Sequence, residues 1–235
     1  MKNSTYLIFH SFDSQESSDI FYDISLNSFN KVLLDISNEL NPKKITLAFD
    51  DGYSSIIPAI KFAKGLGFKT IVYIITSKIN TKGFLTEENI YKLFKEGTTI
   101  GSHTHSHCDL SKLNSKKLIF ELKHSKDILS SITGKEIIDL SIPYGKYSKK
   151  VLKNCQEFYK LTAVSHPIIF PQKKIIGRIP IHKNNYKKKK FIVSALKGRM
   201  IIYIYALNLF FIKLLNKFLG NNLYVKIKKI FSKIF

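Results

Sequence analysis

Short apolar runs rich in β-branched residues alternate with segments of helical periodicity along most of this chain, and that alternation limits its fold more than any other feature. Tyr6–Phe9, Ile45–Phe49 and Phe68–Ile75 read as strands, as do the shorter Thr98–Ile100, Ile137–Leu140, Tyr159–Val164 and Ile175–Ile181. Between the first two, Phe29, Val32, Leu33, Ile36 and Leu40 recur at helical spacing until Asn41-Pro42 stops the segment. A second helix starts near Ser54 or Ser55, tolerates Pro58 in its first turn and ends at Gly65 and Gly67. Thr86 with Glu87 and Glu88 opens a third, which Gly97 closes. Asn114 opens a longer one with Leu118, Leu122, Ile128, Leu129 and Ile132 on one face, ending at Gly134; a brief helix covers Lys149–Cys155. The polar segment from Ser11 to Ser18 reads as a loop. A crossover helix returns the chain to the same edge direction, so strands separated by helices pair in parallel. The class is α/β, with too few units for a full eight-fold barrel.

In such folds ligands bind at the carboxyl ends of the strands. Ile45-Thr-Leu-Ala-Phe runs straight into Asp50-Asp51-Gly52 and so delivers two acids to that end. Successive strand side chains diverge, so Asp50 and Asp51 cannot do the same job. Taken alone, an Asp at a strand-to-helix junction reads as a helix cap. Gly101-Ser-His-Thr-His-Ser-His107 changes that balance. His103 and His107 stand at i and i+4, which puts both imidazoles on one side if the stretch turns helically, with His105 pointing elsewhere. Two neutral imidazoles and one carboxylate suit one divalent metal, zinc first, with positions left for water and substrate. The same donor count also describes non-haem iron oxygenases, but nothing else here suggests an oxygen site.

Three motifs, Leu47-Ala-Phe-Asp-Asp-Gly52, His103-Thr-His-Ser-His107 and Ile142-Pro-Tyr-Gly145, come in the order and spacing of the polysaccharide deacetylases, the NodB-homology or carbohydrate esterase family four enzymes. The chain resembles that family from about Tyr6 to about His182. The resemblance implies a distorted seven-stranded (β/α) barrel spanning 1–185. It implies Asp50 as general base, Asp51, His103 and His107 as metal ligands, and the backbone N–H of Tyr144 as oxyanion donor. The family's arginine that holds the base has one candidate inside the domain, Arg178, which reads equally well as a surface arginine on an edge strand. His10 and His182 compete for the acid; His10 resembles the N-terminal histidine of a subgroup and is favoured. His124 and His166 read as structural or surface residues, and Cys108 as a small packed side chain. Ser141-Ile142 departs from the arginine or aromatic group that usually opens the third motif.

The implied activity is removal of an N-acetyl group from an N-acetylated sugar. A deformylase of a lipid-linked amino sugar is the runner-up, and a catalytically inactive membrane-associated binding protein of the same fold is the reading from another class. The formal charge of +21 comes almost wholly from lysine, since Arg178 and Arg199 are the two arginines. Sequence-specific nucleic-acid recognition normally uses arginine forks, so no specific nucleic acid is expected, whereas any anionic surface attracts such a chain. Two cysteines make no disulfide framework, and the apolar run before His10 is short for a signal peptide, so the cytoplasm is expected. Composition changes after residue 185. Tyr186-Lys-Lys-Lys-Lys190 is polybasic, Met200–Ile212 is nearly all apolar, and Leu223–Phe235 sets Lys226, Lys229 and Lys233 opposite Ile227, Ile230, Phe231 and Ile234. Residues 186–235 therefore read as a helical basic and apolar segment that packs on the barrel or lies on an anionic membrane. Peripheral attachment to the inner face of the cytoplasmic membrane, near a lipid-linked saccharide, follows as an expectation.

Overall fold

A computed structural model describes residues 5–14, 21–168, 174–183 and Val193; apart from Val193, the segment 186–235 and the expectations for it lie outside the described residues. Eight strands form one sheet in which every pairing is parallel: β1 (Thr5–Phe9), β4 (Ile45–Phe49), β5 (Lys69–Ile74), β6 (Thr99–Ser102), β7 (Asp139–Ser141), β8 (Leu161–Val164), β9 (Ile175–Gly177) and β10 (Ile179–Pro180). The order across the sheet is β10-β1-β4-β5-β6-β7-β8-β9. Five helices cross between strands: α1 (Leu26–Glu39), α2 (Ile56–Gly65), α3 (Glu87–Lys95), α4 (Ser115–Thr133) and α5 (Lys149–Phe158). The two-residue strands β2 (Ser11–Phe12) and β3 (Asp23–Ile24) pair with each other, and β2 lies inside the Ser11–Ser18 segment whose sequence reads as loop.

The expected count of seven strands becomes eight for a definable reason. β9 pairs with β8 and β10 pairs with β1, and only Arg178 separates them. One extended segment thus lines both edges of the sheet and nearly closes it into a barrel, changing partners at Arg178. Residues 175–181 read as one strand because their apolar run marks no break beyond that arginine.

Side chains alternate between two environments. Leu7, Phe9, Leu47, Phe49, Val72, Ile74, Ile100, Leu140 and Val164 face the helices and join Phe29, Leu33, Ile56, Ile90, Leu118 and Leu122 in the main core. Ala48, Ile71, Tyr73 and Ala163 form a second, smaller cluster inside the barrel. Helix ends follow the sequence signals. Thr86 and Asn89 make a reciprocal capping box at α3, Asn114 caps α4, and Gly134 ends α4 in the left-handed conformation. Among the described residues no helix is long and apolar enough to cross a membrane.

Candidate active site

β4 ends at Phe49, and the ladder continues one step further, with Asp50 N–H donating to the Phe9 carbonyl at 2.9 Å. Asp50 is 3% exposed and points into the barrel. The chain then turns hard, with Asp51 at φ 74° and Gly52 at φ 85°. A side chain on Gly52 would be strained there by the positive φ. The turn swings Asp51 to the mouth, where it is half-buried, so the two adjacent acids occupy different surroundings.

Inside the barrel Arg178 meets Asp50 in a fork. Nη1 donates to Oδ1 at 2.7 Å and Nη2 to Oδ2 at 2.9 Å. Nη2 also donates to Ser141 Oγ at 2.7 Å, and Nε to the Val164 carbonyl at 3.2 Å. Arg178 is 0% exposed, which corrects the surface-edge alternative: it shares the inward face with Ile176, two residues earlier, and forks onto Asp50. The guanidinium lies over the Tyr73 ring, 5.1 Å from its centroid. Tyr73 fits beneath it because residue 101 is glycine; a Cβ there would come within 2.6 Å of the ring. Burial works to raise the Asp50 pKa, but Arg178 first and His103 next hold the carboxyl well below the usual carboxylate range.

The histidine loop leaves β6 with His103, whose N–H donates to the Ile74 carbonyl at 2.8 Å. The expected helical turn is absent. Thr104 and His107 adopt left-handed φ values of 67° and 57°, and side chains hold the loop. Glu121 of α4 accepts from the N–H groups of His105 and Ser106 at 2.9 and 2.8 Å and from Ser106 Oγ at 2.6 Å. Ser102 Oγ accepts from Thr104 N–H, and Thr104 Oγ1 from His107 N–H. With its N–H groups given to side chains, the loop has no use for the helical ladder.

His103 Nδ1 donates to the Ser141 carbonyl at 2.8 Å, which fixes the tautomer and turns Nε2 toward the mouth. His103 Nε2 and His107 Nε2 each lie 3.5 Å from the same atom, Asp51 Oδ1. The three donor atoms all fall within 4.8 Å of one another. Tetrahedral ligands at ~2.0–2.1 Å from a zinc ion stand about 3.3–3.4 Å apart, so this donor set fits one divalent ion. Burial pushes both histidines down to about 4, opposed at His103 by Asp50 and reinforced at His107 by His103. Both rings are therefore neutral near pH 7, as ligands must be. His105 faces away: its Nδ1 meets Thr76 Oγ1 at 3.0 Å, and its ring packs edge-on against Phe120 and His124.

His10, just past β1, packs at a tilt on Tyr22 with ring centroids 4.3 Å apart, and it couples electrostatically to both Asp50 and His103. His182 stacks on Phe21 at 4.2 Å. His10 is thus electrostatically joined to the acid and the histidine of the site. Tyr144 sits at φ 59° in a tight turn, is 59% exposed and places its ring 4.7 Å from that of His107. Gly145 follows because a Cβ there would collide with Ser165. Three non-glycine residues of one site, Asp51, His107 and Tyr144, hold left-handed backbones, a clustering that accompanies functional sites.

Two contributors escaped the sequence reading. Ser141 was a departure from a motif and proves to touch Asp50, Arg178 and His103. Glu121 had a signal: an acid among Leu118, Leu122 and Leu129 on the buried face of α4.

Residues 37–162 match the family model described as polysaccharide deacetylase. Over 148 residues the chain is 32% identical to a chitin deacetylase of Arthroderma benhamiae, covering 61% of this chain and 39% of that protein. It is 28% identical over 110 residues to the peptidoglycan-N-acetylmuramic acid deacetylase PdaC of Bacillus subtilis, covering 45% and 22%. The chain spans less than half the length of these curated relatives. The Streptococcus pyogenes deacetylase PplD, solved in complex with acetate, shares the fold with a TM-score of 0.69 at 20% identity over 80% of this chain and 96% of that one.

Proposed function

Because the chain belongs to the polysaccharide deacetylase family, as residues 37–162 show, we propose that it is a metal-dependent hydrolase that removes the acetyl group from an N-acetylated sugar of an envelope polysaccharide or its lipid-linked precursor. The observation that carries this reading is the separation of two neighbouring acids. Asp51 shares a metal-sized donor set with His103 and His107, while Asp50, whose Oδ2 lies 3.8 Å from His103 Nε2, has both oxygens taken by the Arg178 fork.

Asp51, His103 and His107 would hold the ion, zinc first. Once bound, it would polarise the acetyl carbonyl and acidify the attacking water. Asp50 takes the proton from that water as its oxygen bonds to the carbonyl carbon. Its low pKa keeps it ionised yet makes it a weak base, so it depends on the water being acidified. Arg178 and Ser141 fix the carboxylate from behind. The Tyr144 N–H donates to the carbonyl oxygen as charge gathers there. The C–N bond then breaks, His10 gives a proton to the departing nitrogen, and acetate and the amino sugar are left.

The basic residues 187–190 and the amphipathic pattern of 223–235 support peripheral attachment to an anionic leaflet, which would bring a lipid-linked substrate to the barrel mouth. The test of the activity is incubation of zinc-loaded protein with N-acetylated and N-formylated saccharides, free and lipid-linked, with mass detection of the acid released. Acetate is expected. Formate alone would favour a deformylase, and no acid from any substrate would leave a binding protein. Flotation with anionic liposomes, comparing the full chain with one ending at Asn222, tests the attachment; equal recovery would remove the last segment as an anchor.

A further inference from the structure

Ser141 touches both halves of the site, and it does so with different atoms. Its hydroxyl accepts from Arg178 Nη2 at 2.7 Å and donates to Asp50 Oδ2 at 3.2 Å. Its carbonyl accepts from His103 Nδ1 at 2.8 Å. A serine hydroxyl has one proton and two lone pairs, so donating to the acid while accepting from the arginine uses it in both senses. Ser141 is 0% exposed, so water cannot replace the hydroxyl without rearrangement. Its backbone is equally fixed, because β7 pairs residue 141 with Ala163 and Ile142 N–H donates to the Ala163 carbonyl at 3.0 Å.

Position 141 on β7 therefore sets where the Asp50–Arg178 pair sits relative to His103. We propose that Ser141 is a positioning residue whose hydroxyl aligns Asp50 with the metal-ligand set, while its carbonyl aligns His103. The proposal rests on the hydrolase reading for its kinetic consequence and on the hydrogen-bond geometry for its structural one. Without the hydroxyl, Arg178 keeps its fork on Asp50, but the pair loses its tie to β7. A shift of the base by a fraction of an ångström spoils proton transfer and leaves substrate contacts alone. Misplacements of about 1 Å cost on the order of 10²-fold, and a smaller shift costs less.

The experiment uses Ser141→Ala, which keeps the backbone carbonyl. Zinc stoichiometry should match the parent, KM should stay within about twofold, and kcat should fall about 10- to 100-fold. Unchanged kcat, or a loss confined to KM, would overturn the proposal. An arm independent of activity is a denaturation cycle on metal-free protein with Ser141→Ala, Arg178→Ala and the double variant. The midpoint shift from Ser141→Ala should be much smaller when Arg178 is already gone; full additivity would overturn the coupling. If the parent releases no acid from any saccharide, the hydrolase reading fails, and the cycle still decides whether Ser141 holds the pair.

Discussion

Two aspartates lie within the same barrel, Asp50 at its carboxyl end and Asp139 at its amino end, and their surroundings differ in one respect. Both are buried, at 3% and 7% exposure. Burial raises the pKa of each. Asp50 has Arg178 forked onto it, Ser141 beside it and His103 close by, and it ends well below the usual range. Asp139 sits two residues before Ser141, on the same face of β7, and burial alone pushes it up to about 6. Desolvation is common to both ends; a designed countercharge is present at one. The end that has it is where we propose that water is split and an amide broken. The other end is where the barrel tolerates a cost.

The largest effect expected is on Asp50. Asp50→Asn removes the base and keeps the shape, so turnover should fall ~10²–10⁴-fold while zinc is retained. Near-parental acetate release would mean that the difference between the two ends has nothing to do with catalysis. Next comes Arg178. Removing it leaves a buried carboxylate unpaired, which typically costs ~3–5 kcal/mol. Chemical denaturation of Arg178→Ala should show a loss of that order; a loss under 1 kcal/mol (roughly a surface pair's worth) would erase the contrast.

Asp139 should behave in the opposite sense. Its folded pKa is raised from 3.8 to about 6, so as pH rises through this window the unfolded chain gives up the proton first. Stability is lost between about pH 4 and pH 6, and the penalty is complete above that. Asp139→Asn should therefore stabilise the protein at pH 8, by at most about 3 kcal/mol, and do nothing at pH 4. Destabilisation at pH 8 would show that Asp139 has a partner that matters. The smallest effect belongs to His105, which faces Thr76 and Phe120. His105→Ala should leave zinc stoichiometry unchanged by metal analysis, whereas loss of the ion would bring His105 into the donor set.

The sequence made some of this contrast visible. Ile45–Phe49 forms a strand over the residues its run marks, because its one polar member, Thr46, is itself β-branched and strand-prone. The donor set of Asp51, His103 and His107 was legible from residue types and motif order. The way His103 and His107 meet was not: a carboxylate on α4 shapes their loop, and an acid on an apolar helix face does not say which loop it will hold. The break at Arg178 was hidden inside an apolar run, and Ser141 looked like a missing motif residue until its three partners came together. β2 and β3, at two residues each, are too short for any pattern to register.

The central claim is that Asp50 and Asp51, adjacent in sequence, divide the work between proton transfer and metal binding. Equilibrium dialysis against zinc, comparing Asp50→Asn with Asp51→Asn, tests it most directly. The account predicts near-parental zinc per chain for Asp50→Asn and loss of zinc for Asp51→Asn. Zinc lost from Asp50→Asn and kept by Asp51→Asn would contradict it.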